Sequence, residues 1–566
     1  MSDKLEVGRA LREIALLLRV HGGDRFRILA YQRGAEAIEV LREDLSDVVR
    51  TRRLTTLPGI GATLAGTIAE LCETGSSGLL ERLRRGVPRG IHELLSLPAL
   101  GPKKILALHA ALGIEDVADL RAACESARVR GVGGFGIKTE QAILEGIRRL
   151  AAKEPAGHLL HKALAVADQL VGHVARAPSV IAVEVGGSLR RRKEIVADVD
   201  LVAAAGEAAP VIDHFTRFAL VADTIERSER RCRVRLAGGM PVDLLVARPE
   251  EYTLALHRET GSRAHIAKLE QIARHRGRTA DGSLPNPASE DELYAALGLP
   301  YMPPELREDQ GEIEAALEGT LPSDLVSSDD VRGLVHCHTV YSDGKNTIEE
   351  MARGADAMGM RYLTITDHSA SAGYAGGLDV DRLERQWQEI ARVQERVSVR
   401  LLRGTESDIL ADGSLDYPDA VLEQLDVVIA SIHSRMKMDP ETMTRRLVSA
   451  MRQPVFKIWG HALGRLLHKR PPIDCRVEEV LDAAAAARAA IEINGDPYRL
   501  DMEPRWLRAA RDRGIRFVIS TDAHSVDGLQ NVRFGVAMAR RGWVRRGEVL
   551  NTLSAEEFCK AVRPAA

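Results

Sequence analysis

A chain of 566 residues is too long for one hydrophobic core, so about three to five compact units are expected. Apolar residues make up 45% and charged residues 28%, the composition of an ordinary soluble globular protein; no apolar run reaches the roughly 20 residues a membrane span needs, and the N-terminus lacks a secretory pattern. The six cysteines form no CxxC pair and read as reduced thiols, and the formal net charge of −3 does not mark the whole chain as a nucleic-acid binder. Local basic clusters at Arg50, Arg52 and Arg53 and at Arg190, Arg191 and Arg192 keep that class open.

Residues 1 to about 150 carry heptad-like apolar spacing and are expected to be helical. One device recurs there three times: "LPGIGATLAGTIAEL" with Gly59 and Gly61, "LPALGPKKILALHAAL" with Gly101 and Lys103, and "VGGFGIKTEQAIL" with Gly134, Gly136 and Lys138. Each places a glycine turn before a helix, where exposed backbone N–H groups can hold a phosphate without reading a base. One such turn is an ordinary connection between helices. Three favour helix-hairpin-helix binding to a DNA backbone.

From about 155 to 250 the pattern changes to short apolar strands. Gly187 and Ser188 follow one strand, with Arg190 and Arg191 supplying cations for phosphate oxygens. Asp198 and Asp200 alternate on the next predicted strand, and Asp243 lies on a later one. Three carboxylates on adjacent strands suit two Mg²⁺ or Mn²⁺ ions, as nucleotidyl transfer requires. A helical and irregular stretch follows, and the Ser/Asp-rich "LPSDLVSSDD" reads as a linker.

Beyond about residue 332, strands alternate with helical segments, which predicts an α/β barrel-like domain. It opens on "HCHTVYSDG": in an extended strand His336 and His338 would face the same side, with Asp343 shortly after. "TITDHS" adds Asp367 and His368, "RGTESDI" Glu406, "IASIHS" His433, "IWGHALGR" His461, and "VISTDAHS" Asp522 and His524. Seven histidines follow residue 325, and all but His468 fall in these motifs. Imidazoles mixed with carboxylates at strand ends suit Mn²⁺, Zn²⁺ or Fe²⁺ and phosphoester hydrolysis. Asp367 is expected to orient a ligand rather than to bind metal.

The first 320 or so residues resemble family X DNA polymerases, on the strength of the three hairpins, the GS-x-RR motif and the three aspartates. Residues from about 332 resemble a PHP (polymerase and histidinol phosphatase) domain. The order of the two resembles bacterial family X polymerases with a C-terminal PHP domain. The resemblance implies a multidomain α+β and α/β chain: an N-terminal helical domain over 1–85, fingers over 86–152, and a nucleotidyltransferase palm with a mixed β-sheet over 153–250. A thumb over 251–325 and a distorted α/β PHP barrel over 332–566 complete it. It places the palm metals on Asp198, Asp200 and Asp243, and the nucleotide on Gly187, Ser188, Arg191, Gly261 and Ser262. It also places Mn²⁺ or Zn²⁺, two to three ions, on His336, His338, Asp343, His368, Glu406, His433, His461, Asp522 and His524.

The chain departs from the family at two places. Arg258 and Glu259 stand before Thr260-Gly261-Ser262 where the family has aromatics that pack on the nucleotide sugar, and Ile266 replaces a common asparagine. Slow polymerisation, or relaxed exclusion of ribonucleotides, is therefore expected. Thr67 stands where some members have a Schiff-base lysine, and a hydroxyl cannot form an imine. The implied activities are gap-filling DNA polymerisation and 3′-5′ exonuclease or phosphoesterase action, with abasic-site cleavage and 3′-end cleaning in prospect. The expected partners are gapped or primer-template DNA and dNTPs, not membranes, for a monomeric, cytoplasmic, nucleoid-associated protein in base-excision or gap repair. The alternatives are a DNA-docked PHP nuclease with polymerisation weak or lost, and a small-molecule phosphatase that never meets DNA.

Overall fold

The computed structural model describes residues 4–39, 45–57, 59–88, 90–97, 100–152, 157–277, 284 and 287–562. It divides into two compact units, residues 1–155 and 156–566. Among the described residues no helix is long and apolar enough to cross a membrane.

The first unit is helical. Two apolar clusters hold it, one around Leu11, Ile14, Ile38 and Ile68 and the other around Ile105, Leu120 and Ile143. The helices Ala62–Thr74 and Pro102–Leu112 start behind Gly61 and Gly101, and neither glycine offers a side-chain cap. Ile137–Ala152 starts behind Gly136 in the same way. Gly59 and Gly134 have φ of +80° and +85°, so both turns need a residue free of a Cβ. Part of the middle turn, residues 98–99, lies outside the described residues.

The second unit contains two sheets that matter for chemistry. Strands β1 (His158–Leu159) and β3 (Ile195–Val196) form a small antiparallel pair. A mixed five-stranded sheet has the order β2 (Val180–Val185), β4 (Val199–Ala205), β7 (Pro241–Ala247), β6 (Arg231–Leu236), β5 (Val221–Arg227). Helices Tyr252–Thr260, Arg263–His275 and Glu290–Ala296 follow around Leu269, Leu293 and Tyr294. The last seven strands are parallel and lie in chain order: β8 (Gly333–Leu334), β9 (Tyr362–Ile365), β10 (Arg400–Asp408), β11 (Val427–Ser431), β12 (Ile458–Trp459), β13 (Ala490–Asn494) and β14 (Phe517–Ser520). Just past β8 and β14 the chain pairs again, Thr521 N–H to Val335 carbonyl at 3.1 Å and His338 N–H to Ala523 carbonyl at 2.8 Å. The sheet is thus a nearly closed barrel.

Three local expectations are corrected. The strand expected to carry His336 and His338 ends at Leu334, and His336 has φ +65°, so no extended strand presents the pair. Their rings still lie 5.1 Å apart, because the pairing with the Ala523 segment folds the loop back. Asp198 stands just ahead of β4 rather than on it. The Ser/Asp-rich stretch is also docked rather than a free linker: Val326 is fully buried, and its N–H donates to the Val544 carbonyl at 3.1 Å.

Asn551 seals the seam of the barrel at the other end. Its fully buried amide donates to the carbonyls of Gly333 (β8) and Ile519 (β14) and accepts from the Ile519 N–H, at 2.8–2.9 Å. Asn551→Ala would strand these backbone groups without water, a loss of about 3 kcal/mol. The thermal midpoint followed by circular dichroism is expected to fall by about 3–4 °C, and an unchanged midpoint would deny the amide this role.

Candidate metal centres

In the five-stranded sheet Asp200 and Asp243 are direct partners on the parallel strands β4 and β7. With Asp198 they bring carboxylate oxygens within 4.8 Å of one another. Burial raises the Asp200 pKa to about 7, and the charges of Asp198, Asp243 and Glu259 push in the same direction. Burial raises Asp243 as well. Arg233 on β6, which no motif marked, approaches Asp243 at 3.3 Å and Asp198 at 3.4 Å and offsets part of the repulsion. Three carboxylates so crowded fit a divalent cation, since only positive charge relieves them.

Gly187, at φ +57°, packs so closely on Asp200 that a Cβ there would collide with its carboxylate. Ser188 lies on the single turn Gly187–Arg190. Arg191 donates to Glu308 at 2.7 Å and to the Thr260 carbonyl at 2.7 Å, while Arg190 pairs with Glu290 at 2.9 Å. Both arginines are thus held by the segment after the palm. Ser262 caps the helix Arg263–His275 through its hydroxyl, and Ile266 lies over Gly261. Arg258 turns away to Glu270, whereas Glu259 pairs with Arg231 and adds its charge beside Asp200. In the first unit Gly59, Gly61, Gly134, Gly136, Lys103 and Lys138 are exposed and Gly101 is half-buried, all at the helix starts described above.

The barrel gathers all nine of its motif residues at the C-terminal ends of its strands. At the centre lies Glu406, fully buried, with the imidazoles of His461 at 2.7 Å, His368 at 3.0 Å, His336 and His433 at 3.3 Å and His338 at 3.6 Å. Asp343 approaches His524 at 3.3 Å, and Asp522 approaches His338 at 3.4 Å. Their donor atoms form three overlapping groups: His338, Asp343, His368 and His524; His336, His338 and Asp522; and His368, Glu406 and His433. His336, His461 and Asp522 have left-handed φ of +65°, +22° and +46°. Such backbone persists in non-glycine residues only where its surroundings enforce it.

Six ring nitrogens of the cup are buried and unsatisfied, and that is the test of fit. His336 Nε2, both ring nitrogens of His338, His368 Nδ1, His433 Nε2 and His461 Nδ1 have no hydrogen-bond partner. A buried nitrogen without a partner is costly unless something binds it. Burial also pulls the pKa of His338 down to about 3, keeping its lone pairs free. Burial opposes protonation of His336, His433 and His524 as well, yet the carboxylates around them hold His336 well above its ordinary value and raise His433 and His524 to about 9. The cup thus draws positive charge, and mixed imidazoles and carboxylates fit a divalent metal ion in place of those protons.

Three supporting carboxylates complete the site. Glu492 on β13 accepts from His336 Nδ1 at 2.5 Å and from the His461 N–H, and Asp408 on β10 pairs with His433 Nδ1. Neither was anticipated, although Asp408 follows Glu406 by two on one strand face and Glu492 is the lone carboxylate in apolar "AIEIN". Asp367 orients no imidazole. It accepts from the Thr339 N–H and hydroxyl at 2.7 Å and from Gln386 at 2.6 Å, which fixes the loop leading to Asp343. Gly344 closes that loop, where a Cβ would sit 2.6 Å from the His338 carbonyl carbon.

Taken together, a three-carboxylate sheet followed by helices and a His-rich barrel defines a polymerase palm carrying a metal-dependent phosphoesterase-type domain. Family models agree along the chain: a helix-hairpin-helix domain matches residues 2–77, a SAM-like helix-hairpin-helix tandem 91–149, the DNA polymerase beta thumb 255–308 and the PHP domain 335–496. The chain is 34% identical over 566 residues to the DNA polymerase/3′-5′ exonuclease PolX of Bacillus subtilis (strain 168), covering 98% of each chain, and therefore belongs to the PolX family. The chain is also 29% identical over 235 residues to a probable phosphatase of Thermoanaerobacter sp. (strain X514), covering 38% of this chain and 89% of that protein. A probable phosphatase of Caldanaerobacter subterraneus is 32% identical over 33% of this chain and 74% of its own length.

Two outcomes follow. Glu492→Gln keeps the shape but weakens the grip on His336, and Mn²⁺ affinity by calorimetry is expected to fall roughly 10- to 100-fold. In the metal-free protein Asp200 stays protonated up to about pH 7, while an unfolded chain releases that proton near its ordinary value of 3.8. The folded state therefore loses stability as pH rises between these values, by at most about 1.4 kcal/mol per unit. Asp200→Asn removes the loss, so its metal-free midpoint should exceed the wild type's at pH 8 and not at pH 4.

Proposed function

We propose that this protein is a DNA repair polymerase that fills short gaps by template-directed nucleotidyl transfer and hydrolyses 3′ ends through its PHP domain. The observation that carries the reading is the presence in one chain of a three-carboxylate palm and a nine-residue His/Asp/Glu cup, along a sequence similar to PolX over nearly its whole length. In the palm, Asp198, Asp200 and Asp243 would hold Mg²⁺ or Mn²⁺, and in the barrel the nine motif residues would hold two to three Mn²⁺ or Zn²⁺ ions. Such ions, when bound, neutralise phosphate charge and acidify a hydroxyl or water.

The protein groups supply position. The backbone turn at Gly187 and Ser188 faces the palm carboxylates, and Arg191 is available for a triphosphate once it leaves Glu308. Gly261 and Ser262 lie at the next helix start, beside the sugar. Arg258 and Glu259 put no aromatic there and Ile266 offers no amide, which supports slow extension or tolerance of ribonucleotides. The glycine-capped helix starts of the first unit would hold the DNA backbone without base preference. In the barrel, Glu406 gathers five imidazoles, Glu492 and Asp408 fix ring orientation, and the closed strands exclude water from all but the mouth. We further assign 3′-end cleaning and abasic-site cleavage to the same cup, and a monomeric state and a nucleoid location to the protein.

A 5′-labelled primer on a one-nucleotide gapped template, with Mn²⁺ and all four dNTPs, tests the reading. Longer and shorter products are both expected. Asp198→Ala should lose only the longer ones and His338→Ala only the shorter ones, each at least about 100-fold, since even partners of ligands are worth 10 to 100. Shorter products alone from the wild type would reduce the palm to a docking scaffold.

A further inference from the structure

The palm and the barrel share one compact unit and one continuous apolar core, so their relation is fixed by packing. Polar contacts reinforce it. Glu194, just before β3, is half-buried and pairs with Arg465 at 3.3 Å and with Arg541. Tyr498 of the barrel domain meets His161 of the palm edge-on at 4.9 Å.

At this junction lies a cavity of 590 Å³ that neither chemistry accounts for. Lys193 and Ile195 line it from the palm, and His468, Lys469 and Arg470 line it from the segment that follows His461. Its charge is positive. Arg465 is already neutralised by Glu194 and Glu503, and Glu308 offsets Lys193 only from 3.8 Å, while Lys469 is exposed and carries no ion pair among the described residues.

The two ends of this cationic surface face the two centres. β3, whose Ile195 lines the cavity beside the Glu194–Arg465 pair, ends two residues before Asp198. At the other end Arg465 and Leu467, in the same lining, donate to the carbonyls of Arg499 at 2.9 Å and Tyr498 at 2.8 Å. Arg499 stands 3.0 Å from Asp522 with its buried Nη1 unpartnered. Tyr374, 73% exposed, lies 6.1 Å from His368 and 6.2 Å from His433. Tyr498, 40% exposed, has the Lys469 ammonium over its ring at 5.6 Å. Cations interleaved with exposed aromatic rings form a surface for single-stranded nucleic acid, which every base can stack on and every phosphate can pair with.

We propose that a single-stranded DNA 3′ end crosses from the palm to the barrel site within one chain, its phosphates on Lys193, Lys469 and Arg470 and its bases against Tyr498 and Tyr374. The route rests on the function proposed above. It gives His468, the one barrel histidine outside the metal motifs, a place on the path.

The test starts from full-length protein bound to gapped DNA. Mn²⁺, one radiolabelled complementary dNTP and excess heparin are added together, so a protein that lets go is captured. The wild type should incorporate the label and then release it as mononucleotide with the trap present. In Lys193→Glu/Lys469→Glu that release should fall at least about tenfold relative to the variant's hydrolysis of thymidine 5′-p-nitrophenyl phosphate. The salt slope of its affinity for a frayed 3′ end should shrink by roughly 0.7 per lysine. Lys469→Gln, a change at an exposed position, should move both readouts in the same direction by less. Release abolished by heparin in the wild type, or proceeding at wild-type rate in the variants, would overturn the route. Hydrolysis of neither label nor small ester by the wild type would overturn the barrel's assigned chemistry, and the route with it.

Discussion

The barrel is organised around one buried carboxylate. Burial alone would raise the pKa of Glu406, yet His336, His368 and His433 draw it well below its ordinary value. Five imidazoles within 3.6 Å of one carboxylate have too few protons and partners to satisfy each other. A buried cluster of that kind is tolerable only if something outside the chain completes it. The closed seam, the left-handed ligand residues and the Asp367-braced loop all hold donors where they would otherwise move apart. The palm poses the mirror problem with excess negative charge, part of it offset by Arg233. Two unlike electrostatic deficits therefore sit in one compact unit, one made of carboxylates and the other of imidazoles around a carboxylate. Hard oxygen donors suit Mg²⁺, and mixed nitrogen and oxygen donors suit Mn²⁺ or Zn²⁺.

Much of this was legible in the sequence because the chemistry repeats at strand ends. The alternation of apolar runs with Asp and His marks β4, β7, β9, β10, β11 and β14, and the residues named from that spacing are the ones the fold gathers. The local geometry was not legible. His336 and His338 converge through a left-handed residue and a pairing with Ala523 that lies far along the chain, which no period-two pattern encodes. Glu492, Asp408 and Arg233 act only through partners brought by other strands. The Ser/Asp-rich stretch looked like a linker because its composition is polar, yet buried Val326 anchors it.

The departures from the family now have surroundings. Glu259 does not leave an empty place where an aromatic would lie; it faces Arg231 and adds charge beside Asp200. Ile266 fills the space over Gly261. A carboxylate and an aliphatic side chain therefore stand where the family resemblance places a ring and an amide.

The most direct measurement is anomalous X-ray scattering from crystals grown with Mn²⁺. Peaks are expected at the palm aspartates and at two or three positions among the groups around Glu406, with the short imidazole contacts to Glu406 opened by the ions between them. A barrel without peaks, its histidines still closed upon Glu406 while the palm is filled, would contradict the reading of that cup as a metal centre.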